Sequence, residues 1–192
     1  MQTYPPQLRF PSIKESDFKI KYYYFSIDSR DRDRTAWPST SEYQVRMEPD
    51  KSFIGATLGR NYKNVKSLEL MNAVYPNTSN ILQEPYLFVC IPELENKLYD
   101  ATNITGMKAF AKLLPHRNTD YFIYSESSYD DPAILEYHTA GERLDKLTIQ
   151  FKKHDGTLFN FGTDTTSNLT PIKSIQTSLT FKVGVVEPTV PN

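Results

Sequence analysis

The residues best equipped for chemistry lie between Ser29 and Trp37, in the stretch SRDRDRTAW. Arg30, Arg32 and Arg34 interleave with Asp31 and Asp33, directly after an apolar run that ends at Ile27. On an extended chain, neighbouring side chains point to opposite sides, which puts the arginines on one side and the acids on the other. Guanidinium groups pair with carboxylates in a planar, bidentate way. Two readings stay open: a solvated loop that pairs its own charges, or a connector that pairs with charges on a neighbouring chain. Trp37 is the only tryptophan, and Tyr43 opens the next alternating stretch. Trp, Tyr and Arg are the usual anchors of protein interfaces, whereas a lone Trp also serves as a plug at the edge of a core. Arg30, Asp31, Arg32, Asp33, Arg34, Trp37 and Tyr43 are therefore the candidate interface residues.

The remaining reactive side chains do not assemble into a site by spacing. His116, His138 and His154 are far apart, and none has a second ligand at metal spacing, although His138 has Glu136 and Glu142 nearby. Cys90 lies inside the apolar run YLFVCI and reads as a small buried hydrophobe. The adjacent Asp130 and Asp131 in SYDDPAI precede a proline and read as a solvated turn rather than as the spaced carboxylates of a glycosidase. The seven glycines form no nucleophile elbow, dinucleotide fingerprint or P-loop. No catalytic, cofactor-binding or metal-ligating residue is assigned, and the chain reads as a non-enzyme with no small-molecule substrate.

Composition narrows the partners. The 192 residues carry 22 basic and 23 acidic side chains, a net charge of −1, so no long-range field attracts a polyanion. Nucleic-acid binding depends on many Lys/Arg–phosphate contacts, and this balance argues against it. One cysteine excludes an intrachain disulfide and fits folding in a reducing compartment. The start MQTYPPQLRF has no apolar core of a secretory signal, and no apolar run approaches the roughly 18 residues that span a bilayer. The sequons at Asn77, Asn103 and Asn168 are accordingly read as chance. Aromatic residues make up 13% of the chain, which favours strands and large contact surfaces.

The elements that must position these residues are strands. Residues 1–17 carry three prolines and read as an extended arm. Strand patterns follow at Phe18 to Ile27, Tyr43 to Met47, Val65 to Val74, Tyr86 to Ile91, Tyr121 to Tyr124, Leu147 to Phe151 and Leu179 to Val185. Asp155-Gly156 supplies a tight hairpin turn before the return segment TLFNF. Met107 to Leu114 suits a helix by its i, i+3, i+4, i+7 apolar spacing and a strand by its place in the series; the reading leans to strand. The stretches 48–64 and 125–142 read as long loops. Together these patterns predict an all-β antiparallel sandwich over residues 18–187, an eight-stranded jelly roll with extended terminal arms, and a tail at 188–192.

The ordered set of motifs resembles a known family. IDSRDRDRTAWPSTSEYQVRM, NVKSLELMNAVYPN, YLFVCIPEL and LDKLTIQFKKHDGTLFNFG, in that order, are similar to segments of minor capsid proteins from large icosahedral double-stranded DNA viruses, chloroviruses among them. The likeness runs from about Phe25 to Phe161. It implies a structural protein of the virion, made in the host cytoplasm. Its partners are the major capsid protein and other minor capsid proteins, near an inner viral membrane. It implies no catalysis. Two alternatives are a penton or vertex capsid protein and a carbohydrate-binding β-sandwich, the latter requiring exposed aromatics clustered on one face.

Overall fold

The computed structural model describes residues 18–47, 53, 55–78, 81–94, 101–115, 117–126, 133–137 and 142–189. The proline-rich arm, His116, His138, Asp130 and Asp131, and the last three residues of the tail lie outside the described residues.

The protein is a β-sandwich of two sheets. The seven-stranded sheet has β1 (Phe18–Asp28) at its edge, then β12 (Ser178–Pro188), then the long β4 (Tyr62–Pro76). The far side of β4 is shared in succession by β10 (Glu142–Leu144), β9 (Ala133–Glu136) and β8 (Phe122–Glu126), and β8 also pairs with β7 (Arg117–Asn118). The five-stranded sheet runs in the order β3 (Ala56–Leu58), β2 (Glu42–Met47), β11 (Lys146–Lys152), β5 (Leu87–Cys90), β6 (Ala111–Leu113). All pairs are antiparallel except β2 with β3.

The core forms where the inner faces meet. Leu179, Phe181, Val183 and Val185 of β12 alternate inward, opposite Tyr43, Val45 and Met47 of β2 and Leu147, Ile149 and Phe151 of β11. On β4 the alternation breaks. Register shifts against Thr180/Phe181 and Gly184/Val185 insert one extra residue each, so the inward set becomes Val65, Leu68, Leu70, Ala73 and Tyr75. A bulge turns the following side chains to the other face, which is why VKSLELMNAV carries no clean period of two. β5 is buried along its whole length, as its continuous apolar run requires.

Three expectations change. The segment around Met107 divides: a single helical turn, α1 (Ile104–Met107), is capped by the Asn103 side chain on the Gly106 N–H, and a short strand follows at β6. The stretches read as loops contain β3, the ends of β4 and β8, and β9. The return segment after Asp155-Gly156 is not a regular strand. Gly156 takes the positive φ of the turn, at +86°, but β2 already holds that edge of β11 from Lys146 to Gln150. The returning chain keeps the single bridge Lys152–Leu158, made by the bonds from Lys153 N–H to Thr157 O and from Phe159 N–H to Phe151 O, while Phe159 and Phe161 are buried in the core.

Candidate functional site

The charged connector does not run extended. Ser29–Asp31 forms a 3₁₀ turn, capped by the Asp28 carboxylate on the Arg30 N–H at 3.0 Å, and the three arginines diverge. Arg30 folds back onto Asp28 in a bidentate pair, Nε to Oδ1 at 2.9 Å and Nη2 to Oδ2 at 2.7 Å. Asp31 is exposed. Asp33 Oδ1 accepts the backbone N–H groups of Thr35 and Ala36, closing the local turn. Trp37 is half-buried against the core.

Arg32 is wholly enclosed, and its five N–H donors are all used. Nε donates to Trp37 O at 2.7 Å, Nη1 to Ser29 O at 2.6 Å and Gln176 Oε1 at 2.9 Å, and Nη2 to Pro38 O at 3.1 Å and Asp164 O at 3.3 Å. The balancing charge is Asp164, whose carboxylate lies 3.8 Å from Arg32 Nη2 with both side chains fully buried. Burial pushes the Asp164 carboxyl up. The bonds it accepts from Asn168, the Ile172 N–H and Gln176, with the charge of Arg32, outweigh that and hold it below its ordinary value. Arg34 completes the set, reaching Asp164 Oδ1 at 3.4 Å and the carbonyls of Thr165 and Asn168. Tyr43 is fully buried with its hydroxyl 3.2 Å from Thr177 Oγ1.

These residues seal one end of the sandwich by tying the connector to the segment 164–177. Arg32 and Tyr43 present no side-chain surface to a partner, and Arg34 and Asp33 are occupied within the chain. Of the readings the sequence left open, pairing within the chain describes these four residues, because a turn rather than an extended run at Ser29 sends Arg32 inward.

At the opposite end of β1 the chemistry reverses. Alternate residues of the strand face outward and stay uncovered: Phe18 43%, Ile20 46%, Tyr22 54% and Tyr24 63% exposed. They flank Gly184 of β12, where an added Cβ would lie 3.2 Å from the Tyr22 ring, 3.4 Å from Ile20 and 2.5 Å from Ser67 Oγ. Glycine there lets the tyrosine lie down on the sheet. Lys182 Nζ sits 4.9 Å from the Tyr22 ring centre and 3.0 Å from Glu69. The outer face of the five-stranded sheet is different. There Glu93 takes the Thr148 N–H and hydroxyl, Gln150 donates to Glu42, and Arg46 donates to Gln44. The sequence signal for the stripe was present in FKIKYYYFSI, whose apolar residues fall on both faces.

Beside the stripe, around the rim, lies an open pocket of about 330 Å³ between the start of β4 and the end of β12. Arg60 lies flat on Tyr23, 3.7 Å from the ring centre, and 5.9 Å from that of Tyr62. Glu187 is held there by Lys21 Nζ at 2.5 Å and the Tyr23 hydroxyl at 2.5 Å, bonds that keep its carboxyl below the ordinary range.

The remaining reactive groups stay apart. Cys90 is buried, and burial raises its thiol pKa, the opposite of an activated thiolate. His154 Nδ1 meets the Tyr86 hydroxyl at 2.7 Å and Asn103 Nδ2 at 2.9 Å, joining the hairpin turn to the cap of α1. Among the described residues, no group of three His, Cys, Asp or Glu side chains is placed to hold a metal, and no helix is long and apolar enough to cross a membrane. No protein-family model matches the chain, and no curated protein matches it.

Proposed function

We propose that this chain is a structural capsid protein of a large DNA virus, a minor component that packs against the major capsid protein and other minor proteins of the shell. The observation that carries the reading is the uncovered stripe Phe18, Ile20, Tyr22, Tyr24 on the outer face of the seven-stranded sheet, in a molecule whose other outer face is laced by its own polar side chains. Apolar and aromatic residues on one sheet face are what a packing partner buries.

Two further points support the reading. The two packed sheets, with β1-β12-β4-β8 in one and β2-β11-β5-β6 in the other, form an all-β sandwich, and a jelly roll, the sandwich used by capsid proteins and by lectins, is the path we propose for it. The fold alone does not select the function; the resemblance of the motif series from Phe25 to Phe161 is what supports the capsid class over the others. Quantitative mass spectrometry of purified virions tests it. The expected result is a fixed ratio to the major capsid protein that survives detergent removal of lipid. A ratio of a few tens of copies per particle points to the vertex role, and absence from the particle overturns the assignment.

The same stripe favours a second reading, a carbohydrate-binding sandwich, because Tyr22 and Tyr24 offer adjacent rings to a sugar. A glycan array read with the wild type and the Tyr22→Ser, Tyr24→Ser double variant separates the two: capsid packing predicts no glycan signal.

A further inference from the structure

β1 stands at the rim of the seven-stranded sheet with one side of its ladder unused. Among the described residues its 11 residues pair with β12 alone, and the register never shifts. Just past the pair Asp28–Ser178, the Ser29 N–H donates to Thr177 O. Backbone groups alternate in direction along an antiparallel strand. Counting back from Ser29, the odd-numbered residues, Tyr23 and Phe25 among them, bond β12. Phe18, Ile20, Tyr22, Tyr24 and Ser26 therefore turn their N–H and C=O groups to the free edge. The first four of these are the exposed stripe. No bulge and no proline interrupts this edge, and an uninterrupted edge is a template for another strand.

The strand that fits this edge is β1 itself. Two copies running antiparallel about a twofold axis keep their outer faces on one side when even-numbered residues oppose even-numbered ones. With Tyr22 on the axis, Ile20 faces Tyr24 and Phe18 faces Ser26, while on the other face Lys21 meets Tyr23 and Lys19 meets Phe25. Aromatic and β-branched pairs placed directly opposite are favourable, and like charges directly opposite are not. Sliding the copies one way brings the two Lys21 side chains together. Sliding them the other way sets Ile20 against Ser26 and Phe18 against Asp28. Charge and apolar matching thus single out one register, and in it the strand complements itself.

We propose that two copies of this chain join edge to edge through β1, antiparallel and with Tyr22 on the twofold axis, to make one sheet that runs through both. The even-numbered residues supply about ten backbone hydrogen bonds across the seam, and the two apolar stripes merge into a single band. The inference goes beyond the packing reading and does not depend on it, since the outer face of that band is still uncovered in the pair.

The test uses the full chain alone, so its outcome is independent of whether the protein is found in virions. Sedimentation equilibrium over about 1–300 µM is expected to show monomer and dimer in exchange, as a small interface implies. Amide hydrogen exchange at both ends of that range reads the edge. The Ile20, Tyr22 and Tyr24 amides exchange fast in dilute solution and are protected in concentrated solution, whereas those of Tyr23 and Phe25 are protected in both. Under mild oxidation Tyr22→Cys forms a disulfide-linked dimer, because residues opposed in a hydrogen-bonded pair have Cα atoms about 5.5 Å apart. Tyr24→Cys does not, since its two copies stand roughly 14 Å apart. Tyr22→Pro removes an N–H of the free edge and no bond to β12, so it weakens dimerisation about a hundredfold or more while the unfolding midpoint stays near wild type. Tyr22→Thr keeps that N–H and weakens dimerisation about tenfold or less. A chain still monomeric at about 300 µM overturns the proposal. Protection of the even-numbered amides that is the same at every concentration also overturns it, because the chain then covers its own edge. A dimer indifferent to Tyr22→Pro, or Tyr24→Cys crosslinking as readily as Tyr22→Cys, overturns this arrangement of the pair.

Discussion

Arg32 and Arg60 stand at opposite ends of the same sheet and are treated in opposite ways. Arg32 is enclosed, donates to three backbone carbonyls of its own connector, to Asp164 O and to Gln176, and is balanced by a buried Asp164. Arg60 is half-exposed, rests on an aromatic ring and uses none of its donors within the described chain. The difference teaches where the fold spends its polar groups on itself and where it leaves them for something else. One end is closed by the connector and residues 164–177. The other is open, with an apolar stripe, a basic pocket and unfilled hydrogen-bonding capacity.

Breaking the closed end carries the largest expected effect. Arg32→Met leaves the buried Asp164 with Arg34 as its remaining counter-charge and strips the partners of Gln176 and several carbonyls; the expected loss is about 3 kcal/mol in denaturant unfolding. If the variant unfolds like wild type, the closed end is not a brace. Gly184→Val comes next. A side chain there meets Ser67 Oγ and the Tyr22 ring, so overpacking costs about 1–3 kcal/mol and lifts the tyrosine from the sheet, a change visible in the Tyr22 ring signals by NMR.

Acid sharpens the same contrast. The folded state holds Asp164 below its ordinary pKa, so its stabilising contribution is fully present above about pH 4 and is lost as pH falls further, through the folded value. The stability gap between wild type and Asp164→Asn is therefore wide at neutral pH and narrows below about pH 4, measured by urea unfolding across the range. At the open end the expected effects on stability are the smallest. Tyr22→Ser with Tyr24→Ser, and Arg60→Gln separately, shift unfolding by only about 0.5 kcal/mol, while the proposed packing role predicts that the tyrosine pair is needed for association with the shell. A large destabilisation by either would assign the open end to folding rather than to contact.

Much of this was legible in the sequence. The alternation in Leu147 to Phe151 and Leu179 to Val185 marks inner faces directly, because a strand with one buried side repeats every two residues. β4 was harder to read, since its bulges shift the inward face in mid-strand and no local signal announces them. The return segment after Gly156 failed for a tertiary reason: β2 competes for the same edge of β11. The charged connector misled because alternation of Arg and Asp suggests a straight chain, whereas the Asp28 cap and the Ser29–Asp31 turn rotate Arg32 into the interior. Arg60 has no motif around it. Only the fold brings it over Tyr23, residues apart in sequence but adjacent at the rim.

The register of β1 on β12 has a mechanical consequence. Phe18 stands opposite Pro188 and Asp28 opposite Ser178, so the chain segments that flank the sandwich enter and leave side by side at the open end. Tension applied through those segments would load the β1–β12 ladder one rung at a time, peeling it from Phe18 inward, instead of shearing all its bonds together. The first rungs hold the aromatic stripe and the Arg60 pocket; the last is anchored beside the Arg32 brace. Pulled this way, the domain would give up its contact surface early and its sealed end late.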